Sequence, residues 1–497
     1  MATRQPTFAF EGKIGEERAA NVDILSETRD QQVMLHLASD RNSLTNQFAP
    51  ILSLPNELLS AIFQQGHLHS QKSPPIEIVM SHLNRRFRAV AMYTRLLWAK
   101  IDISSSTPFD KVYAYLHRSG RTAFDLSFNI DTKYGCPRYS LDPTSAALLF
   151  TDAEWGTIMS HMTRCRQFSA RFDSDSSIIL HDMVDRLREV NAPLLQTFQI
   201  ESLYWVDEQY LEPHRKILNG GAPSLTTVKM KGWGLHYCLP PLTVVTSLTL
   251  LPASLLTTWA DLRDILSGSL ALTCLVIGDI FVQYLPDGFE SAIILPSLKF
   301  LRIFVNDRNG APYVDDVLLA ISSAVLECLF IDNAIEVDLT NLPVAYPQLT
   351  KSGRFPCLQY LIISLFGGLD VSQEAWTTLF TVFPSITRFS LRSNDEVVRP
   401  ESLIALLGRH TADSILPNLH TLTFGKISKD AVSSLCDLVS TREAAGRPLR
   451  SLHLPAYILH DDALGDSLSR LRERVELQEY QADDIEVDGA QIWNGDQ

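Results

Sequence analysis

Patterns that announce chemistry are scarce in these 497 residues. The seven cysteines, Cys136, Cys165, Cys238, Cys274, Cys328, Cys357 and Cys436, are widely scattered, odd in number and never spaced as C-x-x-C, which argues against a disulfide framework or a zinc knuckle. Cys274, Cys328 and Cys357 lie in or beside apolar strand patterns, where cysteine behaves as a small hydrophobe. There is no G-x-x-x-x-G-K-S/T, no G-x-G-x-x-G, no H-E-x-x-H and no G-x-S-x-G, so the motifs of phosphate loops, zinc proteases and serine hydrolases are missing. No N-x-S/T sequon occurs. Neither catalysis nor a cofactor is expected.

Long apolar runs are missing too. The first residues carry Arg4, Glu11, Lys13, Glu16 and Glu17 and do not read as a signal peptide. The longest uncharged stretch, 232–260, is broken by Pro240, Pro241 and Pro252 and reads as a strand between turns rather than a membrane span. An intracellular protein, cytoplasmic or nuclear, is expected. Positive charge is in deficit: 43 Lys and Arg face 57 Asp and Glu, a net charge of −14, and such a field opposes binding to nucleic acid or an anionic membrane. With 45% hydrophobic and 20% charged residues the chain has the composition of a folded protein with a large core.

Two patterns resemble metal sites superficially. His67-Leu68-His69 has no neighbouring Cys or carboxylate in sequence and reads as loop. Asp173-Ser174-Asp175-Ser176-Ser177 lacks the spaced Gly and terminal Glu of a calcium loop and reads as a polar helix entry.

What is present begins at Leu54-Pro55-Asn56-Glu57-Leu58-Leu59, runs to Ile62-Phe63, and continues with Asn84-Arg85-Arg86-Phe87-Arg88-Ala89-Val90 and Leu97-Trp98. Pro55 suits the first helical position, and Leu54, Leu58 and Ile62 then share a face with Leu59 and Phe63 beside them. A second apolar series, Ile76, Val79, Leu83, Phe87 and Val90, keeps helical spacing, so two or three short helices should pack together. These blocks resemble an F-box, most closely the fungal F-box-like proteins. In that family the module presents an apolar face to the Skp-type adaptor of a cullin ubiquitin ligase. The resemblance implies an adaptor-binding face of Leu54, Pro55, Leu58, Ile62, Phe63 and Leu83. The plain alternative is a helical hairpin that caps the domain behind it.

Beyond residue 190 a unit of the form P-x-L-x-x-L-x-I recurs, as in Pro296-Leu298-Leu301-Ile303, Pro356-Leu358-Leu361-Ile363 and Pro417-Leu419-Leu422-Phe424. Its last apolar positions are Ile200, Met230, Leu250, Ile277, Ile303, Ile331, Ile363, Leu391, Phe424 and Leu454, about 28 residues apart on average, near the upper end of the leucine-rich range. Asn306 and Asn394 supply the turn asparagine in two units. Amphipathic segments at 313–323, 372–383, 400–408 and 428–441 read as the intervening helices. A strand and a helix that each carry one apolar face bury both only by stacking on their neighbours, which predicts an α/β solenoid with parallel strands. An open doubly wound α/β sheet is the competing fold. Weaker entry repeats are read at Ile101–Ile103, 124–128 and 165–172, and a loop at 135–143. The expected organisation is a polar segment at 1–48 with a possible helix, an F-box-like module at 49–103, a leucine-rich-repeat-like solenoid at 104–470 and an acidic tail at 471–497.

Strand alternation sends Gln199, Glu201, Lys229, Lys231, Arg302, Phe304, Phe330, Asp332, Tyr360, Arg388, Arg392 and His453 to the open concave side. Cations outnumber acids there in an acidic chain. From this set Lys229, Lys231, Arg302, Phe304, Arg388 and Arg392 are expected to hold a client protein with an acidic or phosphorylated segment. The plain alternative is that a solenoid face simply carries mixed polar residues. The function expected is a substrate receptor of a Skp–cullin–F-box ligase, with a repeat scaffold lacking ligase function as the alternative. A third possibility, an α/β enzyme, would need convergent titratable groups at strand ends, and the scattered His, Asp and Glu predict none.

Overall fold

The computed structural model describes residues 50–69, 74–130, 149–172, 177–202, 216–232, 238–251, 259–278, 292–305, 314–340, 355–366, 371–393, 397–409 and 415–480. The chain divides into two units, Met1–Trp98 and Ala99–Gln497. The polar segment 1–48, the loop 135–143, residues 173–176, the turn residues Asn306 and Asn394, and the chain beyond Tyr480 lie outside the described residues.

The first unit contains α1 (Asn56–His69), α2 (Ile76–Leu83) and α3 (Arg85–Tyr93). The carbonyl of Pro55 accepts from Leu59 N at 3.1 Å, so the proline flanks α1 as its cap rather than opening it. The apolar series through Leu83 and Phe87 is not one helix. Asn84 is extended at φ −157° and its side chain accepts from Phe87 N at 2.8 Å, so it ends α2 and caps α3. Phe63 and Phe87 meet edge to face at 5.3 Å, and with Leu59, Val90, Ala91, Leu97 and Trp98 they form the core. Polar atoms are tied down locally. Ser60 and Thr94 hydroxyls lie 2.9 Å apart, and Trp98 Nε1 donates to Ala91 O at 2.8 Å.

The second unit is built on a parallel sheet of fourteen strands. They are β1 (Lys100–Ser104), β2 (Phe124–Ile130), β3 (Cys165–Phe172), β4 (Thr197–Ser202), β5 (Thr227–Lys231), β6 (Ser247–Leu251) and β7 (Cys274–Gly278). The second half comprises β8 (Phe300–Phe304), β9 (Cys328–Ala334), β10 (Tyr360–Leu365), β11 (Arg388–Ser393), β12 (Thr421–Phe424), β13 (Ser451–Leu454) and β14 (Glu476–Glu479). Each strand pairs with the next in the chain, and the order never reverses. A doubly wound sheet needs such a reversal at its switch point, so that alternative is excluded. The arrangement is an α/β fold compatible with a solenoid-like repeat.

Register matches the recurring sequence unit. Ile200, Met230, Leu250, Ile277, Ile303, Ile331, Ile363, Leu391 and Phe424 are successive neighbours across the sheet, in one buried row. From β4 to β13 the residue before each strand donates its N–H to the matching carbonyl of the preceding rung, as in Thr226 to Gln196, Thr273 to Thr246, Glu327 to Lys299 and Thr387 to Gln359. The proline-proximal leucines Leu298, Leu358 and Leu419 turn inward beneath these links. Expected helices appear at Val314–Ala320, Gln373–Val382, Glu401–Leu407 and Ala431–Ala444; Ser372 caps the second by accepting from Ala375 N at 3.3 Å. Gly232, at φ +71°, is held where a Cβ would come within 1.8 Å of Ser202 O, so only glycine fits.

Both expected boundaries of the repeat region shift. Residues 99–103, assigned by sequence to the helical module, belong to the sheet, because β1 pairs with β2 from Lys100 to Ser104. The expected tail from 471 is folded as far as Tyr480: Gly465–Arg472 is a helix and β14 pairs with β13.

Candidate functional site

Two surfaces carry the side chains that the sequence singles out. The first belongs to the helical unit. Along α1, Leu59 and Phe63 point into the core, which turns Leu58 and Ile62 outward by helical geometry; these two are 52% and 46% exposed. Pro55 is exposed, Leu54 is half-buried, and Leu83 at the end of α2 is 57% exposed. Of the six residues expected on the adaptor face, Phe63 is the correction: it is 1% exposed and packs on Phe87, because the apolar stripe splits into an inward and an outward half. The Asn84-Arg85-Arg86-Phe87 block also has a structural explanation. Arg86 donates to the carbonyls of Leu52 and Leu54 and, at 3.1 Å and 3.0 Å, to Asn56 Oδ1, so it staples the chain entering α1. Arg88 Nε donates to Ser81 O at 2.6 Å. His67 is helical rather than in a loop, and its Nδ1 lies 3.0 Å from Oε2 of the buried Glu77. That contact ties α1 to α2. Among the described residues there is no group of three or more side chains suited to a metal ion.

The second surface is the sheet face opposite the leucine rows. Its middle is apolar: Cys274, Phe300, Cys328, Phe330 and Ile362 cluster there, with Val276 and Tyr360 packed against them. Burial pushes the Cys274 thiol up to about 11 and the Cys328 thiol up to about 12. It also holds Tyr360 above its ordinary value. Of Cys274, Cys328 and Cys357, all expected to behave as small hydrophobes, Cys274 and Cys328 are buried, though on this other face, and Cys357 is exposed. The signal that marks it is continuity. Cys274-Leu275-Val276-Ile277, Cys328-Leu329-Phe330-Ile331 and Tyr360-Leu361-Ile362-Ile363 are apolar at both parities, the pattern of strands covered on both sides.

Cations rim this cluster, and their states differ. Arg302 stands over the Phe330 ring, 4.5 Å from guanidinium carbon to centroid, and pairs with the buried carboxylate of Asp332. Asp332 borders a bulge made by Asn333, which takes a left-handed φ of 63° and donates to Val305 O at 3.0 Å. Lys231 pairs at 3.0 Å with Glu201, its direct cross-strand neighbour, whose side chain is buried. These two cations are occupied by the protein's own acids, which corrects the simple excess of positive charge expected on the face. Arg392 reaches toward Phe330 and Tyr480, at 5.9 Å and 5.3 Å from the ring centroids, and donates to Ser390 Oγ at 3.2 Å. Arg388 is exposed on the same strand. Lys229 is half-buried, and loss of solvent lowers its pKa. Among the described residues no carboxylate lies within ion-pair distance of Lys229, Arg388 or Arg392.

The structure therefore brings Arg302 and Arg392 together around Phe330. Phe304 lies half-buried at the end of β8, beside Asp332. Lys229 and Lys231 stand three strands away from β8, about 14 Å at the usual strand spacing.

No helix among the described residues is long and apolar enough to cross a membrane. No family model matches this chain, and no curated protein matches it. Among solved structures, it is similar to a Bacteroides fragilis protein determined as a structural-genomics target, at 14% identity over 64% of this chain and 75% of that one, with a TM-score of 0.31. It is also similar to a chain in the yeast Rad7–Elc1 complex, at 12% identity over 80% of this chain and 93% of that one, with a TM-score of 0.25.

Proposed function

We propose that this protein is an F-box-type receptor with leucine-rich repeats, docking a Skp-type adaptor of a cullin ubiquitin ligase through its helical unit and holding a client on the open face of its sheet. The observation that carries this reading is the split of α1, whose inward residues complete a small core while Leu58 and Ile62 remain about half exposed. An apolar pair held outward on a capped and stapled helix suits docking, since the ordering cost is met in advance. Leu54, Pro55 and Leu83 complete the proposed adaptor face.

On the sheet, Arg388, Arg392 and Lys229 are the cations left for an acidic or phosphorylated client, and Arg302, Lys231 and Phe304 support them. Catalysis belongs to the partners: the receptor raises the effective concentration of client lysines at the charged enzyme. Such a protein would work in the cytoplasm or nucleus. Its test is titration of purified protein with a Skp-type adaptor, beside Leu58→Asp. Burying an unpaired carboxylate at the interface should cost several kcal/mol, on the order of 3. Unaltered adaptor binding by the variant would reject the assignment.

A repeat scaffold without ligase function is the second reading. Complete absence of adaptor binding by folded wild-type protein would favour it.

A further inference from the structure

Tyr480, the residue after β14, donates its N–H to Leu454 O of β13 at 2.7 Å, the next bond of the parallel ladder after the Leu454–Glu479 pair, so its side chain falls on the face opposite the leucine row. Its ring turns back across the sheet. A Cβ added to Gly425, just past β12, would stand 3.5 Å from Tyr480 Cε1, and the Arg392 guanidinium of β11 lies 5.3 Å from the ring centroid. Arg392 in turn faces Phe330 on the open side. Tyr480 thus bridges the end of the sheet to its rim of cations.

The residues after Tyr480 have matching chemistry. Positions 481–488 read Gln-Ala-Asp-Asp-Ile-Glu-Val-Asp, and the whole stretch 481–497 contains five acids and no base. Asp484, Glu486 and Asp488 alternate with Ile485 and Val487, an acidic edge and an apolar edge in extended conformation. The open face offers the complement: Arg388 and Arg392, without a carboxylate partner among the described residues, near the partly buried Tyr360 at the edge of the apolar cluster. From β14 the chain must cross about 14 Å to Arg388 and Arg392 on β11 and about 19 Å to Tyr360 on β10, and eight extended residues span up to about 26 Å, so the reach is sufficient.

We propose that residues 481–488 are an intramolecular occupant of the open face, their carboxylates engaging Arg392 and Arg388 and their apolar residues facing Tyr360 at the near edge of the Phe330 cluster. An acidic client must displace this segment. The tether keeps it at millimolar effective concentration, so weak contacts suffice for high occupancy.

The test uses the full chain with Asp483, Asp484 and Asp488 changed to Asn and Glu486 to Gln, beside wild type. A fluorescent peptide with the sequence of residues 480–490 is titrated into both. The neutralised protein should bind the peptide about tenfold more tightly than wild type, as expected when a competing occupant present about nine-tenths of the time is removed. Adding Arg388→Glu and Arg392→Glu should abolish that binding, and circular dichroism checks that this variant folds. Equal affinity for wild type and neutralised protein, no binding to either, or binding indifferent to the two arginines in a folded variant would each overturn the proposal. Adaptor binding plays no part in this experiment, so its outcome is independent of the ligase reading.

Discussion

Arg302 lies over the face of Phe330 on the neighbouring strand, 4.5 Å from the ring centroid, while the same guanidinium neutralises Asp332. One side chain therefore joins the apolar centre of the open face to a carboxylate with almost no solvent access. Charge at this position is part of the fold before it is part of any binding surface.

Arg302→Ala should accordingly destabilise the protein by about 3 kcal/mol, because it strands a buried carboxylate. The double variant Arg302→Ala with Asp332→Ala should recover a large part of that loss. Urea unfolding of the three proteins measures both. An Arg302→Ala variant as stable as wild type would show that the pair contributes nothing.

Leu58 and Phe63 should separate docking from folding, although they lie on one helix. Leu58→Asp is expected to leave the unfolding midpoint nearly unchanged, within about 0.5 kcal/mol, since the side chain is half exposed. Phe63→Ala removes a ring packed on Phe87 and should cost about 3 to 5 kcal/mol. Thermal melts compare the two; a large loss at Leu58 would place it in the core and remove it from the docking face.

The repeat and the helical blocks are legible in the sequence because periodicity reports burial directly. Ile303, Ile363 and Leu391 fall in one row because each sits at the same offset from a proline that begins its rung. The outward half of α1 is harder to assign, since a stripe of five apolar residues does not say which edge of it the core will take; Phe87 decides, by packing on Phe63. The partners of Arg302 and Lys231 are less visible. Glu201 is opposite Lys231 only once the register is known, and Asp332 comes to Arg302 beside a bulge that no local sequence rule places. Tyr480 falls within the expected tail because its contacts, Leu454, Gly425 and Arg392, all lie at least 26 residues away in sequence.

Gly232→Ala should be among the more damaging small substitutions. The backbone there is left-handed and a Cβ would collide with Ser202 O on the adjacent rung, so β4 and β5 must separate locally. A loss of more than about 2 kcal/mol is expected from strain plus disrupted packing. Gly446→Ala, also at positive φ but with nothing near its Cβ, should cost less, and unfolding curves of the pair isolate the collision from the dihedral preference.

The cysteines give a prediction in pH. Burial pushes Cys165 and Cys328 up to about 12 and Cys274 up to about 11, from an ordinary value of 9. At pH 8 a thiol of pKa about 11 is ionised in roughly one molecule in a thousand, and the thiolate is the reacting species. Among the described cysteines, Cys357 is exposed, so maleimide at pH 8 should label it first and leave Cys274 and Cys328 untouched until the protein unfolds. Stability depends on the same thiols. Their folded pKa values exceed the unfolded value, so the unfolded chain binds fewer protons above pH 9, and ∂ΔG/∂pH is negative there. The contribution of these groups is whole below pH 9 and declines as pH rises toward 11 and 12. Mass spectrometry of native labelled protein, with urea midpoints at pH 8 and pH 10, checks both halves; rapid native labelling at Cys274 or Cys328 would show that the open-face cluster is not closed to solvent.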